Sequence, residues 1–225
     1  AGSAFTVTVT AKDANNNTAT GYSGTVSITS SDSAATLPSA STLTSGVGTF
    51  SVTLKTAGSK TVTASDGSLS ATSSAITVNP DAYSTAQSVV AASASSLSSG
   101  SSITVTLTAK DAYGNTNPSG LPAIGSIAFT SSTVGGTGSF TNLASQGSGV
   151  YTATFTGQNS GSVTLGANIS SSAVSNNATV TVNPGTATQL VFSGVPTSST
   201  AGSAFTVTVT AKDANNNTAT GYSGT

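Results

Sequence analysis

The 225-residue sequence contains no Cys, Met, Trp, His, Arg or Glu. Charged residues make up 5% of it, against roughly 25% in an ordinary soluble domain. Every acid is an Asp (13, 32, 66, 81, 111, 213) and every base a Lys (12, 55, 60, 110, 212). Each absence closes a class of function. Without Cys there are no disulfides, thiolate zinc sites or cysteine nucleophiles. Without His, Glu, Cys or Arg, general acid–base work would fall on scattered Asp, Lys and Tyr that do not cluster along the chain. No enzyme and no cofactor are expected. A net charge of −1 with no basic run removes the attraction on which binding to nucleic acid or anionic lipid depends. No apolar run approaches the ~18 residues of a membrane span, so neither nucleic acid nor membrane insertion is expected. Disorder is not expected either, because disordered segments pair low hydrophobicity with high net charge, and 36% of these residues are hydrophobic.

What is present is Ser, Thr, Ala, Gly and Val, arranged in a repeat. The stretch AGSAFTVTVTAKDANNNTATGYSGT, Ala1 to Thr25, returns unchanged as Ala201 to Thr225. Fixed-period self-similarity is the mark of an array, so the sequence reads as one period of 200 residues and the opening of the next. Within it, AFTVTVTAK puts Phe5, Val7, Val9 and Ala11 on one face and Thr6, Thr8 and Thr10 on the other, the period-two pattern of a half-buried strand. Further strands are expected at Val26 to Thr29, at GTFSVTLK with Phe50, Val52 and Leu54 inward, at KTVTAS (60–65) and at AITVNP ending in Pro80. The plan repeats with SITVTLTAKD (102–111), which places Ile103, Val105, Leu107 and Ala109 inward. Strands then follow near Ser126 to Thr130, Ser139 to Thr141, Val150 to Thr156 and Ser162 to Ala167, and ATVTVNP ends at Pro184.

About seven short alternating strands per ~100 residues, with no helical period, imply an all-β chain of tandem immunoglobulin-like β-sandwich domains arranged end to end. The domains are expected at 1–80, 81–183 and 184–225. The first lacks its opening strand, the counterpart of QLVFSGV (189–195), and is completed by a preceding repeat; the third supplies only the first strands of the next domain. Covalent repeats, or strand exchange between subunits, would fill the gap.

The runs SVVAASASSLSSGSSITVTLTAKDAYGN, GVYTATFTGQNSGSVTLGA and ATVTV in 81–183 resemble the bacterial immunoglobulin-like domains of the invasin and intimin group. ATQLVFSGVPTSSTAGSAFTVTVTAKDANNN and VGTFSVTLKTAGSKTVTASDG resemble the repeats of very large bacterial surface proteins. The resemblance implies an extracellular or cell-surface fibre or stalk, structural and non-enzymatic. The alternative is an adhesin stalk or module that binds carbohydrate or a host or cell-surface protein.

Candidate sites are few. Asp13-Ala14-Asn15-Asn16-Asn17 begins like a calcium loop, but Thr18 and Gly24 stand where Gly and a bidentate acid are usual. It and Asp111–Asn115 read as turns held by side-chain bonds to the backbone. Lys12 and Lys110 lie on the outward face of their strands, against an internal isopeptide crosslink. Tyr113 and Tyr151 are expected to pack rather than to bind, and the Asn16, Asn168 and Asn177 sequons are matches that a chain this rich in Ser, Thr and Asn throws up. The positive feature is the pair of junctions Val78-Asn79-Pro80-Asp81 and Val182-Asn183-Pro184-Gly185. Proline fixes φ and holds its predecessor extended, so a stiff, almost zero-length joint and a rod are expected. Partners are then further copies of the chain end to end, with lateral self-association eased by the low charge.

Overall fold

The computed structural model describes residues 1–224, without the side chains of Thr133 and Val134; Thr225, the last residue of the second copy of the repeat, lies outside the described residues. The chain forms two compact units, Ala1–Tyr83 with Lys110–Gly120, and Ser84–Ala109 with Leu121–Thr225. Both are built from strands, and no helix is long and apolar enough to cross a membrane among the described residues.

The first unit holds β1 (Ala4–Thr10), β2 (Thr25–Ser30), β3 (Ser41–Thr42), β4 (Val47–Thr53), β5 (Gly58–Lys60), β6 (Val62–Ser65), β7 (Ser70–Thr72) and β8 (Ile76–Val78). β1 pairs antiparallel with β4, Phe5 opposite Val52 and Val7 opposite Phe50, so the alternation read in both stretches lands on one face. That face packs on the sheet β3-β2-β6-β7. Between them lie Val26, Ile28, Leu43, Phe50, Val52, Leu54, Val62 and Val78, all buried. At roughly 1.5–3 kcal/mol for each large apolar side chain, this layer is the main source of the unit's stability. The stretch 60–65, expected as one strand, is divided. Lys60 pairs with Ile76 in β5–β8, whereas Val62 pairs with Ser30 in β6–β2. Thr61 sits at the crossing because the loop after β2 holds it: its N–H donates to Ser31 Oγ, and its carbonyl accepts from Ser31 N and Ser30 Oγ.

The second unit's strands are β9 (Tyr83–Ala92, its first residue in the first unit), β10 (Ser96–Ser98), β11 (Ser102–Asp111, its last two residues in the first unit), β12 (Ile127–Val134), β13 (Gly138–Gly147), β14 (Val150–Gly157), β15 (Gly161–Ile169), β16 (Ser172–Ala173), β17 (Ala178–Asn183), β18 (Gln189–Ser193) and β19 (Thr208–Lys212). One sheet runs β13-β14-β11-β9 and the other β10-β17-β15-β12, with β16 on β15. The chain leaves β9 in one sheet and joins the other as β10, parallel to β17. Val105, Leu107, Ala109, Tyr151, Ala153 and Phe155 from the first sheet meet Val163, Leu165, Ala167, Ile169, Val180 and Val182 from the second, each at most 5% exposed. Phe155 also lies 5.1 Å, ring to ring, from Phe140. β13 runs on past the three residues expected, through two bulges where Asn142 and Gly147 take positive φ.

β18 and β19 form a two-stranded antiparallel ribbon. Its Leu190, Phe192 and Val209, and Phe205 three residues before β19, are bare at 49–63% exposure. Phe5 and Val9, the counterparts of Phe205 and Val209 in the first copy of the repeat, pack against the core of the first unit.

Candidate functional site

One loop, at the ends of β1, β11 and β19, occurs three times, as Lys12–Asn17, Lys110–Asn115 and Lys212–Asn217, and shares the pattern K-D-A-x-x-N. Its backbone is the same each time. The Asp N–H donates to the carbonyl of the Asn four residues on, at 2.9–3.0 Å, and the intervening Asn16, Gly114 or Asn216 has φ of 67–84°. Only Gly or Asn accepts that left-handed region readily, which is why DANNN and DAYGN are interchangeable. In each loop one oxygen of the Asp carboxylate, Oδ1, takes the N–H groups two and four residues ahead, at 2.8–3.0 Å. These oxygens face N–H donors, the reverse of what calcium requires.

The second carboxylate oxygen ties the loop to the proline stretches. Asp111 Oδ2 accepts from the N–H of Asp81 at 2.9 Å, and Asp213 Oδ2 from that of Gly185 at 2.7 Å. Each donor directly follows the proline of a Val-Asn-Pro sequence. Val78 ends β8 and Val182 lies in β17, both buried; Asn79, Asp81 and Asn183 are exposed, and Pro80, Pro184 and Gly185 half-buried. A side chain at position 185 would press on Ser99 O at 3.2 Å and Asp213 Oδ2 at 3.3 Å, so Gly fits there.

The Asn completes a clasp that the sequence reading missed. Within the first unit, Asn115 Nδ2 donates to Lys55 O, and its Oδ1 accepts from Ala57 N, both at 2.8 Å. Within the second, Asn217 Nδ2 donates to Gln158 O at 2.8 Å, and its Oδ1 accepts from Ser160 N at 2.7 Å. Both amides grip a three-residue turn by its first carbonyl and its last N–H. Ser99 Oγ also takes Asn215 Nδ2 at 2.8 Å and Asn217 Nδ2 at 3.0 Å. Asp32, 3% exposed, braces the first of these turns, accepting from Lys55 N, Thr56 N and Thr56 Oγ1 at 2.6–2.9 Å. The signal for the clasp was the Asn four residues after Asp in every loop. For Asp32 there was none beyond the Asp itself.

Burial separates the copies. Asp111 and Asp213 are 0% and 2% exposed, whereas Asp13 and Asn17 lie in solvent. Burial pushes the Asp111 and Asp213 carboxyls up, but bonds from the Asn side chain and the backbone N–H groups outweigh it, and both fall below the usual range, Asp213 to about 2. Asp13 is lowered by the Asn17 side chain and backbone N–H.

The remaining candidates are placed as follows. Lys12 is exposed and reaches Asn16 O at 3.5 Å. Tyr151 is in the core at 5% exposure. Tyr113, 44% exposed, lies so close over Gly2 that a side chain there would collide with its ring.

Two sheets facing across one core, with the opening strand passing from one to the other, make the second unit's sandwich immunoglobulin-like. Residues 84–185 match the family described as invasin, domain 3, and this stretch is a bacterial immunoglobulin-like domain of the invasin type. Among solved structures, the Escherichia coli adhesin FdeC is similar at 29% identity, over 98% of this chain and 72% of that one, with a TM-score of 0.51. FdeC is described as broadly conserved and as eliciting protection against urinary tract infections. Invasin, a bacterial integrin-binding protein, is 24% identical over 98% of this chain and 45% of its own length, with a TM-score of 0.45. InvD of Yersinia pseudotuberculosis is 26% identical over 96% of this chain and 67% of its own, with a TM-score of 0.44. The chain thus spans under half of the solved invasin. No curated protein matches the sequence.

Proposed function

We propose that this chain is a structural, non-enzymatic repeat of an extracellular or cell-surface fibre. Its domains, 1–80, 81–183 and the one that 184–225 begins, are joined in series at Val78–Asp81 and Val182–Gly185, with further copies end to end as partners. The observation that carries this reading is the clasp itself. At both proline stretches the next N–H is bound by a buried Asp, and the loop's Asn holds a turn by two main-chain bonds. A proline joint fixed in this way transmits tension through several hydrogen bonds together instead of through a free linker. Single-molecule pulling on the chain tests it. Discrete unfolding peaks are expected, with Asn115→Ala lowering the force of one of them. Featureless extension overturns the reading.

A second reading, an adhesive module, is supported by the 29% identity to an adhesin. Saturable binding of the chain to glycan arrays or epithelial cells, lost on mutating exposed loops, transfers the function to adhesion. A spacer shows no such binding.

A further inference from the structure

Two incomplete sheets in this chain match each other. β1 pairs with β4 along one edge, and no strand lies along its other edge among the described residues. β19 repeats residues 8–12 letter for letter, and it has the partner that β1 lacks: Gln189 sits opposite Lys212, Leu190 opposite Ala211, Val191 opposite Thr210, Phe192 opposite Val209 and Ser193 opposite Thr208. Beside the open edge of β1 is an apolar groove of about 140 Å³, lined by Val9, Ala11, Val26, Leu43, Ala64 and Leu69. It is open to solvent, and its volume is close to the roughly 150 Å³ of an enclosed apolar cavity that takes up benzene, so an aromatic ring is of the right size for it.

We infer that the outer edge of β1 and this groove form a strand-acceptor site for Gly185–Ser193 of a second copy of the chain, a segment that exchanges its pairing with β19 and its bonds to Asp213 and Lys212 of its own copy for the same ones here. The register follows from the identical strand. Ser193 pairs with Thr8, Phe192 with Val9, Val191 with Thr10, Leu190 with Ala11 and Gln189 with Lys12. Residues directly opposite in an antiparallel pair share a face. Phe192 and Leu190, 63% and 57% exposed in their own unit, therefore enter the groove beside Val9 and Ala11, which already pack on the core. The upstream end of the incoming segment is specified too. Gly185 N donates to Asp213 Oδ2, and Thr188 N to Lys212 O at 2.8 Å. The corresponding acceptors, Asp13 Oδ2 and Lys12 O, lie in the exposed first loop. One segment thereby fills the groove, pairs the edge and buries the first loop's Asp as its two counterparts are buried.

The absence of cysteine makes the register measurable. Opposed antiparallel residues have Cα atoms about 4.5–5.5 Å apart, within the 4.4–6.8 Å range of disulfides. The full chain carrying Thr10→Cys is mixed in a glutathione buffer with synthetic peptides of residues 184–196 bearing one Cys at position 190, 191 or 192. Crosslinking at 191 is expected about tenfold faster than at 190 or 192, as a docked pair meets at raised effective concentration, and unaltered peptide should suppress it. Equal rates at the three positions, or no competition, overturn the site. As a check free of substitutions, NMR amide exchange of the unaltered chain should slow in residues 8–12 when unaltered peptide is added; unchanged exchange overturns the site as well. The inference rests on the fibre-repeat reading, and the two fail separately. A chain that refuses the peptide yet keeps Asn115-dependent force peaks loses only the acceptor site.

Discussion

Asn17, Asn115 and Asn217 occupy the same place in the same loop, but only the latter two hold a turn, so their removal separates local from longer-range bonds. Asn115→Ala leaves Ala57 N without its acceptor, and Asn217→Ala does the same to Ser160 N. Each should cost about 1–2 kcal/mol, the lower part of the penalty for stranding a buried hydrogen-bonding group, since Ala57 and Ser160 are half-buried. Asn17→Ala, at an exposed loop, should stay within about 0.5 kcal/mol. Urea unfolding of the three variants measures this. Acid reads the same site. The folded carboxyls of Asp32, Asp111 and Asp213 lie below the unfolded value of about 3.9. Their contribution to stability is therefore complete above about pH 5 and is lost as pH falls, for Asp213 through its folded value of about 2. Calorimetry should show a melting temperature flat from neutral pH to about 5 and falling steeply from about 4 to 2. Asp213→Asn should start lower and fall less. The Asp turns of this site were legible in sequence, because turn chemistry is a local property; that each Asp takes the N–H after a proline was not. Nor were the groups that the Asn side chains bind, since Lys55, Ala57, Gln158 and Ser160 contribute main-chain groups that any residue carries.

At the scale of elements, legibility followed burial. β1, β4, β11, β14, β15 and β17 alternate because one face of each is in a core, and all stand where period two placed them. β7, whose Ser70, Ala71 and Thr72 are all exposed, left no pattern to read. The division at Thr61 was equally silent, being set by Ser30 and Ser31, some thirty residues upstream. Turns hold their own constraint. Gly46, between β3 and β4, has φ of 76° and accepts Ala11 N at 2.8 Å; its own N–H donates to Tyr22 O at 3.1 Å. A Cβ there would lie 2.4 Å from Ala19 O, a backbone atom that cannot swing aside. Gly46→Ala should destabilise the first unit by about 1–3 kcal/mol through strain at positive φ together with that collision. Gly67→Ala, at φ of 96° with open space around it, isolates the strain alone and should cost less. Thermal melts of the two variants compare them.

At the scale of the whole molecule the governing quantity is charge, because a net −1 on 225 residues provides almost no mutual repulsion. The faces turned to solvent on β1, β2 and β4 carry Thr6, Thr8, Ser27, Thr29, Thr49 and Ser51, small hydroxyls with no sign to discriminate partners. Copies that meet along such faces do so through hydroxyls, water and the methyl groups of Thr, none of which responds to ionic screening. Raising salt from about 10 to about 500 mM shortens the Debye length from about 30 Å to a few Å, which would dissolve an assembly held by ion pairs. Light scattering across that range should therefore show side-by-side association unchanged. Replacing Thr6, Thr29 and Ser51 with Lys should do what salt does not, adding repulsion that keeps copies apart at about 10 mM and is relieved at about 500 mM. Dissociation of the unaltered protein by salt alone would show that its few Asp and Lys side chains, and not its hydroxyl faces, hold copies together.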